Sequence, residues 1–245
     1  MLLPQLPEDA QGPSAKSSGE VFYNPAMAGS RTRSVLLFRH AMEEGMLGDG
    51  TVYALDGLTA SGLRARRWLN ELPWELSSRI SATIVDLEKE SLDWAMSSHK
   101  EFPPVDGVGD LQTLQGDLRA AVLSSGRHWI DIDPYGSPAP FIDSAMQSMA
   151  RSGVMEVSAT DTAALTGSSK TALMRRYGAR VRTDCLAHDS GMRVMLSYIS
   201  RIAARHDRAI EPLLSVWDSH HLRVSFRVCL LYTSQSTLDV EESHK

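Results

Sequence analysis

The segment DIDPYGSP, residues 131–138, joins two acids, two prolines, a tyrosine and a glycine at the end of an apolar run. Strand alternation places Asp131 and Asp133 on the same side, with Asp133 at the strand tip. A carboxylate there can accept a hydrogen bond from an amine on a planar ring, and Tyr135 offers a ring for stacking. Burying two carboxylates in a strand costs free energy, so their presence there favours a functional role. The segment predicts a site for methylating a ring amine, and a rigid solvent-exposed turn is the alternative.

Three further acids follow predicted strands, in LDGLTASGLR, IVDLE and LQGD. The small residues after Asp56 would let a nucleotide approach the backbone, and Asp86 could accept the hydroxyls of a ribose. Asp117 could accept a hydrogen bond from an adenine amine. Helix capping or an exposed acid is the alternative for each. Together they predict an adenosine-binding rim, because the carboxyl ends of parallel strands meet at one edge of a sheet.

Short apolar runs alternate with helical segments through the middle of the chain. The predicted strands lie in TVYALDG, ISATIVDLE, LQTLQGD, WIDIDP and GVMEVSAT, and the helices between them in SGLRARRWLNEL, KESLDWAMSSH, LRAAVLSS and PAPFIDSAMQSMARS. Further helices are predicted over residues 31–46 and 189–205. Two apolar runs flanking WDSHH predict a C-terminal antiparallel hairpin. The fold class is therefore α/β, a Rossmann-like doubly wound and mostly parallel sheet ending in that hairpin.

The 245-residue chain has ordinary composition for one domain, predicted over residues 20–232 between a disordered arm, 1–19, and a disordered tail, 233–245. It has no apolar run of the roughly 18 residues that a membrane span needs, so we expect no membrane partner and a cytoplasmic monomer. Cys185 and Cys229 form no CxxC pair, which predicts two reduced core thiols and no metal site.

The net charge of −5 is unevenly distributed. Between Ser168 and Arg208, nine basic residues face three acids, a net charge of +6, so the rest of the chain carries −11. The basic residues are Lys170, Arg175, Arg176, Arg180, Arg182, Arg193, Arg201, Arg205 and Arg208. A solvated helix face is one explanation of this cluster, and a surface for a polyanion is the other.

The chain resembles the tRNA (guanine-26, N2)-dimethyltransferases, a class I family that uses S-adenosylmethionine. The resemblance runs from about Glu20 to Tyr232 and rests on VFYNP, ALDGLTASGLRARR, DIDPYGSPAPFIDSA, ATDTAAL, RRYGA and HHLRVSFRV. It implies transfer of methyl groups from S-adenosylmethionine to N2 of guanine 26 in tRNA, giving N2-methyl- and N2,N2-dimethylguanine. The guanine would be turned out of its stack, and the basic cluster would contact tRNA phosphates.

The resemblance also implies roles for individual residues. It assigns Asp133 to catalysis. It assigns to the methyl donor Arg31, Arg64, Asp86, Asp117 and Leu118, of which the two arginines follow from the resemblance alone. The guanine pocket would be lined by Phe22, Tyr23, Pro134 and Tyr135, although core packing is the alternative for Phe22 and Tyr23.

The chain departs from the family pattern at two motifs. It has Ser30-Arg31-Thr32 where the family has Asn-Arg-Asp, and His188-Asp189 where the family has His-Glu. Family members carry a further C-terminal domain that grips tRNA, so the resemblance implies a catalytic domain without it. Two other functions stay open: methylation of another ring or amide nitrogen, and RNA binding without activity.

Overall fold

The computed structural model describes residues 3–4, 21–124 and 126–231, and within them one seven-stranded sheet. The strands are β1 Val52–Gly57, β2 Ile80–Asp86, β3 Asp110–Gln115, β4 Arg127–Ile132, β5 Met149–Ala159, β6 Arg208–Asp218 and β7 His221–Leu230. Their order is β3-β2-β1-β4-β5-β7-β6. The first five are parallel, and β7 runs antiparallel to both β5 and β6. The predicted mostly parallel sheet with a C-terminal hairpin is confirmed.

Helices cover both faces of this sheet. They are α1 Ala28–Glu43, α2 Leu63–Glu71, α3 Trp74–Ser77, α4 Lys89–Glu101, α5 Leu118–Ala121, α6 Ala139–Ser148, α7 Thr162–Leu165, α8 Lys170–Tyr177 and α9 Ala187–Arg205. One buried cluster contains side chains of α1, α2 and α4, and the other contains side chains of α5 to α9. The inner strands β1, β2 and β4 are mostly buried, which explains why their sequences are nearly continuous apolar runs. The edge strand β3 is largely exposed and more polar. None of the helices in the described ranges is long and apolar enough to cross a membrane.

Some predicted boundaries were wrong. The segment predicted as helix through Ser152 leaves the helix at Ser148, and β5 begins at Met149. The reason is long-range: Met149 has an extended backbone, and Arg208 donates to its carbonyl oxygen at 2.6 Å. Helix α1 begins three residues before the predicted start. Cys185 is exposed rather than in the core. The predicted arm and tail lie outside the described residues, except for residues 3 and 4.

The strand order reverses between β1 and β4, where open α/β sheets bind ligands beyond the carboxyl ends of their strands. The strand register places polar residues side by side at this edge. Asp56 of β1 pairs with Asp131 of β4, which pairs with Glu156 of β5, which pairs with Ser225 of β7. The fold thus brings three carboxylates into one row just below the switch point.

Candidate active site

A cavity of about 470 Å³ opens at the carboxyl edge of β1, β2 and β4. Eight of the ten predicted site residues line it: Phe22, Tyr23, Arg31, Arg64, Asp86, Asp133, Pro134 and Tyr135. They come from the segment before α1, from α1 and α2, and from the ends of two strands. The structure therefore brings together residues that are more than a hundred positions apart in the sequence.

The loop from β1 to α2 forms one wall of the cavity and has an unusual backbone. Leu58 and Ala60 have φ values of 61° and 48°, in the left-handed region. Such conformations cost roughly 1 to 3 kcal/mol each for residues other than glycine. Asp56 holds the loop by accepting hydrogen bonds from the Thr59 hydroxyl at 2.7 Å and the Ala65 amide at 3.2 Å. The loop is thus held in a shape that lets its backbone line the cavity.

Asp86 is fixed at the end of β2 by two backbone amides. Its Oδ2 accepts from Ala60 N at 2.8 Å, and its Oδ1 accepts from Glu88 N at 3.0 Å. A carboxylate oxygen can accept more than one hydrogen bond. Both oxygens therefore retain acceptor capacity on a cavity wall, as a pair of ribose hydroxyls would require.

Asp117 and Leu118 are the two predicted donor-site residues that do not line the cavity. Asp117 caps α5 by accepting a hydrogen bond from Arg119 N at 2.8 Å. Helix capping was the alternative to an adenine contact for this residue. Hydrogen bonds from the Arg119 side chain and amide lower the pKa of Asp117 to about 2. Leu118 is buried against Gly57, where a Cβ would lie 2.7 Å from its methyl groups. Leu118 thus supports the end of β1 from behind, and the donor contacts of both residues stay predictions.

Asp133 is the half-buried member of a network of charged side chains that is otherwise buried. We call it the buried network, and its members are Arg64, Asp131, Asp133, Glu156 and Arg223. Arg64 donates from Nη2 to Asp133 at 2.7 Å, and its Nε lies 3.2 Å from Asp131. Arg223, from β7, contacts Asp131 and lies 2.7 Å from Glu156. Arg223 Nη1 is 4.0 Å from Asp133. Two guanidinium groups therefore hold three carboxylates in fixed positions.

The pKa values in the buried network depend on burial and on the two arginines, which are fewer than the three carboxylates. Burial raises the pKa of Asp131 to about 7, against the opposing effect of Arg223 and Arg64. Burial alone would raise the pKa of Glu156 too, but Arg223 and hydrogen bonds outweigh it and the pKa is lowered. Asp133 uses only Oδ2 within the network, and its Oδ1 has no hydrogen-bond partner among the described residues. That oxygen is available to a ligand.

The segment before α1 supplies an aromatic wall. Arg31 lies over the ring of Tyr23, 5.1 Å from its centroid, and donates to the carbonyl oxygen of Asn24 at 3.1 Å. Burial lowers the pKa of Arg31 to about 10. The Phe22 ring meets the Tyr135 ring edge to face, with centroids 5.1 Å apart. Tyr135 is 73% exposed, so this wall presents an open aromatic surface beside Asp133.

The turn that carries Asp133 is braced by residues whose roles we did not predict. Gly136 N donates to the Thr160 hydroxyl at 2.7 Å, and Thr160 N donates to the Gly136 carbonyl at 2.9 Å. Ser137 lies 2.7 Å from the Tyr177 hydroxyl, which donates to Asp161 at 2.9 Å. The motifs ATDTAAL and RRYGA thus meet at this turn.

Glu156 and Arg223 were also missed, although the sequence carried a signal for them. Each is a charged residue inside an apolar strand run, GVMEVSA and LRVSFRV. Charged side chains are almost never fully buried unless they are paired. Two such residues in neighbouring strands could therefore have been predicted to pair.

The two departures from the family motif have local contacts of their own. Thr32 accepts a hydrogen bond from Arg67 at 3.1 Å. His188 stacks on Trp217 with ring centroids 4.4 Å apart, and Asp189 pairs with Arg193 on the same helix. None of the residues Ser30, Thr32, His188 and Asp189 lines the cavity.

Residues 6–239 match the family model described as N2,N2-dimethylguanosine tRNA methyltransferase. The chain belongs to this family. Among curated members of this dimethylguanosine methyltransferase family, the tRNA (guanine(26)-N(2))-dimethyltransferase of Pyrobaculum calidifontis is 34% identical over 227 residues, 92% of this chain. The enzyme of the same name from Thermoplasma volcanium is 30% identical over 224 residues, 91% of this chain. The chain spans about 59% of the length of these curated relatives.

One solved structure agrees with the family assignment, and a second agrees with the fold. Trm1 from Pyrococcus horikoshii, determined with S-adenosyl-L-methionine, has a TM-score of 0.74 and 26% identity, covering 89% of this chain and 59% of its own. Magnesium protoporphyrin IX methyltransferase from Synechocystis, with bound SAH, has a TM-score of 0.51 at 13% identity and covers 82% of this chain and 83% of its own. That second likeness shows the fold alone, which is the class I methyltransferase fold.

Proposed function

We propose that this dimethylguanosine methyltransferase family member transfers methyl groups from S-adenosylmethionine to the exocyclic N2 of guanine 26 in tRNA, giving N2-methyl- and N2,N2-dimethylguanine. The observation that carries the proposal is that Asp133 has one oxygen held by an ion pair and one oxygen open to a ligand. One of its oxygens is ion-paired to Arg64, and the other has no partner among the described residues. It lies at a cavity beside the exposed ring of Tyr135. The predicted cytoplasmic location and monomeric state belong to the proposal as well.

The cavity fits the methyl donor in size and chemistry. Its volume of about 470 Å³ lies within the range of small-molecule sites. Asp86 offers acceptors for ribose hydroxyls. Arg64 lines the cavity, and its Nη1 is buried without a hydrogen-bond partner in the described part of the chain, as a donor to a carboxylate would be. When bound, S-adenosylmethionine supplies an electrophilic methyl group.

The chain's own residues would position the guanine amine. The lone pair of N2 is delocalised into the purine ring, which makes the amine a poor nucleophile. Asp133 Oδ1 would accept a hydrogen bond from N2–H, orient the lone pair and take the proton that N2 loses on methylation. Tyr135 and Phe22 would contact the guanine ring after it has left the base stack of the tRNA. These contacts would offset the few kcal/mol that unstacking the guanine costs. Arg64 keeps the carboxylate from rotating because it holds the opposite oxygen.

The reaction is tested with labelled donor and unmodified tRNA transcripts, followed by nucleoside analysis. We expect label on N2 of guanine 26, and none in a transcript with adenine at that position. Label on another nitrogen would favour methylation of a different ring or amide. Donor binding and RNA binding without any transfer would favour an inactive binding module.

The role of Asp133 is tested by Asp133→Asn, which keeps the size of the side chain. Loss of the proton acceptor should lower the transfer rate about 10²- to 10⁴-fold. Calorimetric affinity for the donor should change little. Asp143→Asn, at an exposed carboxylate paired with Arg205, is the matched control and should keep full activity. Turnover near the unmodified rate in Asp133→Asn would remove Asp133 from the mechanism.

A further inference from the structure

A second cavity, of about 670 Å³, lies between α8 and the chain that follows it. Three cationic side chains line it: Lys170, Arg175 and Arg180. We call them the rim cations. All three are exposed, and none of them donates to a carboxylate, hydroxyl or carbonyl oxygen of the described residues. This is a concave site with positive charge that the protein itself does not neutralise.

Most of the other basic residues in the cluster are already engaged. Arg176 pairs with Asp161 at 3.0 Å, and Arg193 pairs with Asp189 at 3.0 Å. Arg201 and Arg208 donate to the carbonyl oxygens of Tyr177 and Met149, and Arg205 forms an ion pair with Asp143 at 3.6 Å. The cluster predicted from the sequence therefore separates into paired residues and a smaller free group, which consists of the rim cations and of Arg182, an exposed residue that does not line the cavity.

The free group lies on the same edge of the sheet as the candidate active site. The segment from residue 160 to residue 186 leaves the carboxyl end of β5, and its first residue, Thr160, lines the first cavity. Through Ser137, Tyr177 at the end of α8 contacts the turn that carries Asp133, which is the catalytic turn of the proposed reaction. Lys170 begins the same helix, about 10 Å away at 1.5 Å per residue.

Helix α9 leads away from this edge, so the basic residues in its last turn and beyond lie far from it. It has 19 residues, a length of roughly 28 Å at 1.5 Å per residue. Arg205 is at its far end, and Arg208 donates to the carbonyl of Met149, the first residue of β5. These residues are therefore at the amino end of the parallel strands, away from the catalytic turn.

We propose that Lys170, Arg175 and Arg180 bind the phosphodiester backbone of RNA next to the nucleotide held at Asp133. This identification of the ligand as RNA rests on the proposed function. Guanidinium and ammonium groups are the side chains that bind phosphate oxygens best. The segment from residue 160 to residue 186 carries five basic residues and two acids, a net charge of +3, so the rest of the chain carries −8. A polyanion is therefore attracted to this edge more than to the rest of the surface.

The test is the salt dependence of tRNA binding by the triple variant Lys170→Gln, Arg175→Gln and Arg180→Gln. Each lost phosphate contact lowers the slope of log affinity against log salt by about 0.7 to 0.9, so we expect a decrease of roughly 2 to 3. Affinity at low salt should fall at least about tenfold. Donor binding, measured by calorimetry, should stay unchanged.

A matched control removes the same charge from paired, exposed sites: Arg39→Gln, Arg193→Gln and Arg205→Gln. Its slope should stay close to that of the unmodified chain. An unchanged slope in the rim variant, or an equal decrease in the control, would overturn the proposal. So would saturable binding of inorganic phosphate that the rim variant loses without any change in tRNA affinity.

The test is independent of the reaction itself. If the rim variant loses slope but no transcript is methylated, the phosphate site stands and the proposed reaction fails. If guanine N2 is methylated while the slope is unchanged, the reaction stands and the phosphate site fails.

Discussion

The buried network and the rim cations are two charged regions near the candidate active site, and their charges have opposite roles. Arg64, Asp131, Glu156 and Arg223 are 7% exposed or less, and the arginines contact the acids. The rim cations are exposed and have no protein acceptor among the described residues. Charge that is buried and paired fixes geometry, whereas charge that is exposed and unpaired is available to a ligand.

Asp133 connects the two uses. It is the most exposed member of the buried network, at 22%, and only one of its oxygens is engaged there. The network fixes its position, and the cavity gives its second oxygen access to a ligand. A carboxylate with one oxygen fixed by an arginine and the other oxygen unbonded can orient an amine.

The largest effect should come from breaking the buried network with Arg223→Met. Asp131 and Glu156 would then lose a buried counter-charge, and the free energy of unfolding should fall by about 3 to 5 kcal/mol. Urea denaturation measures this loss. Arg180→Met, at a rim cation, should stay within about 0.5 kcal/mol of the unmodified chain. Equal losses in the two variants would show that the two regions do not differ in the way described.

The next effect is a pH dependence at Asp56, in the same row of carboxylates. Burial raises the pKa of Asp56 to about 6 from its ordinary value of 3.8. The folded chain therefore holds a proton that the unfolded chain releases, and this stabilisation is present below pH 4 and lost as pH rises through about 6. A shift of about 2 units corresponds to roughly 3 kcal/mol.

Asp56→Asn removes this titration while keeping an oxygen for Thr59 and Ala65 to donate to. Relative to the variant, the unmodified chain should lose roughly 3 kcal/mol of unfolding free energy between pH 4 and pH 7. Asp117→Asn, at an exposed acid, is the control and should show no such loss above pH 4. A constant difference between unmodified chain and Asp56→Asn across this range would contradict a raised pKa.

The two regions also differ in how far they could be predicted from the sequence. The sheet was predictable because apolar runs and turns are local patterns, and Asp133 was found because DIDPYGSP is unusual over eight residues. Glu156 and Arg223 each had a local signal, a charge inside an apolar strand, but their contact joins residues 67 positions apart and therefore depends on the order of the strands. The basic cluster was predicted from its composition alone. Which of its members are paired could not be predicted, because their partners are brought to α8 and α9 only by folding.

The smallest effect, Tyr177→Phe, tests how the two regions are joined. Tyr177 lies at the end of the helix that carries two rim cations, and its hydroxyl forms hydrogen bonds with Asp161 and Ser137 behind the turn that carries Asp133. Phenylalanine keeps the buried ring, so the free energy of unfolding should fall by only about 1 to 2 kcal/mol. The turn loses a fixed contact, and kcat for methyl transfer should fall about 10-fold or more because Asp133 is less well placed.

The salt dependence of tRNA binding separates positioning from a general loss of structure. Tyr177→Phe leaves Lys170, Arg175 and Arg180 in place, so the slope of log affinity against log salt should not change. The rim variant should show the reverse, a smaller slope with kcat retained at saturating tRNA. A Tyr177→Phe protein that loses slope and kcat together would mean that the turn and the rim cations form one unit, since the hydroxyl would then order both.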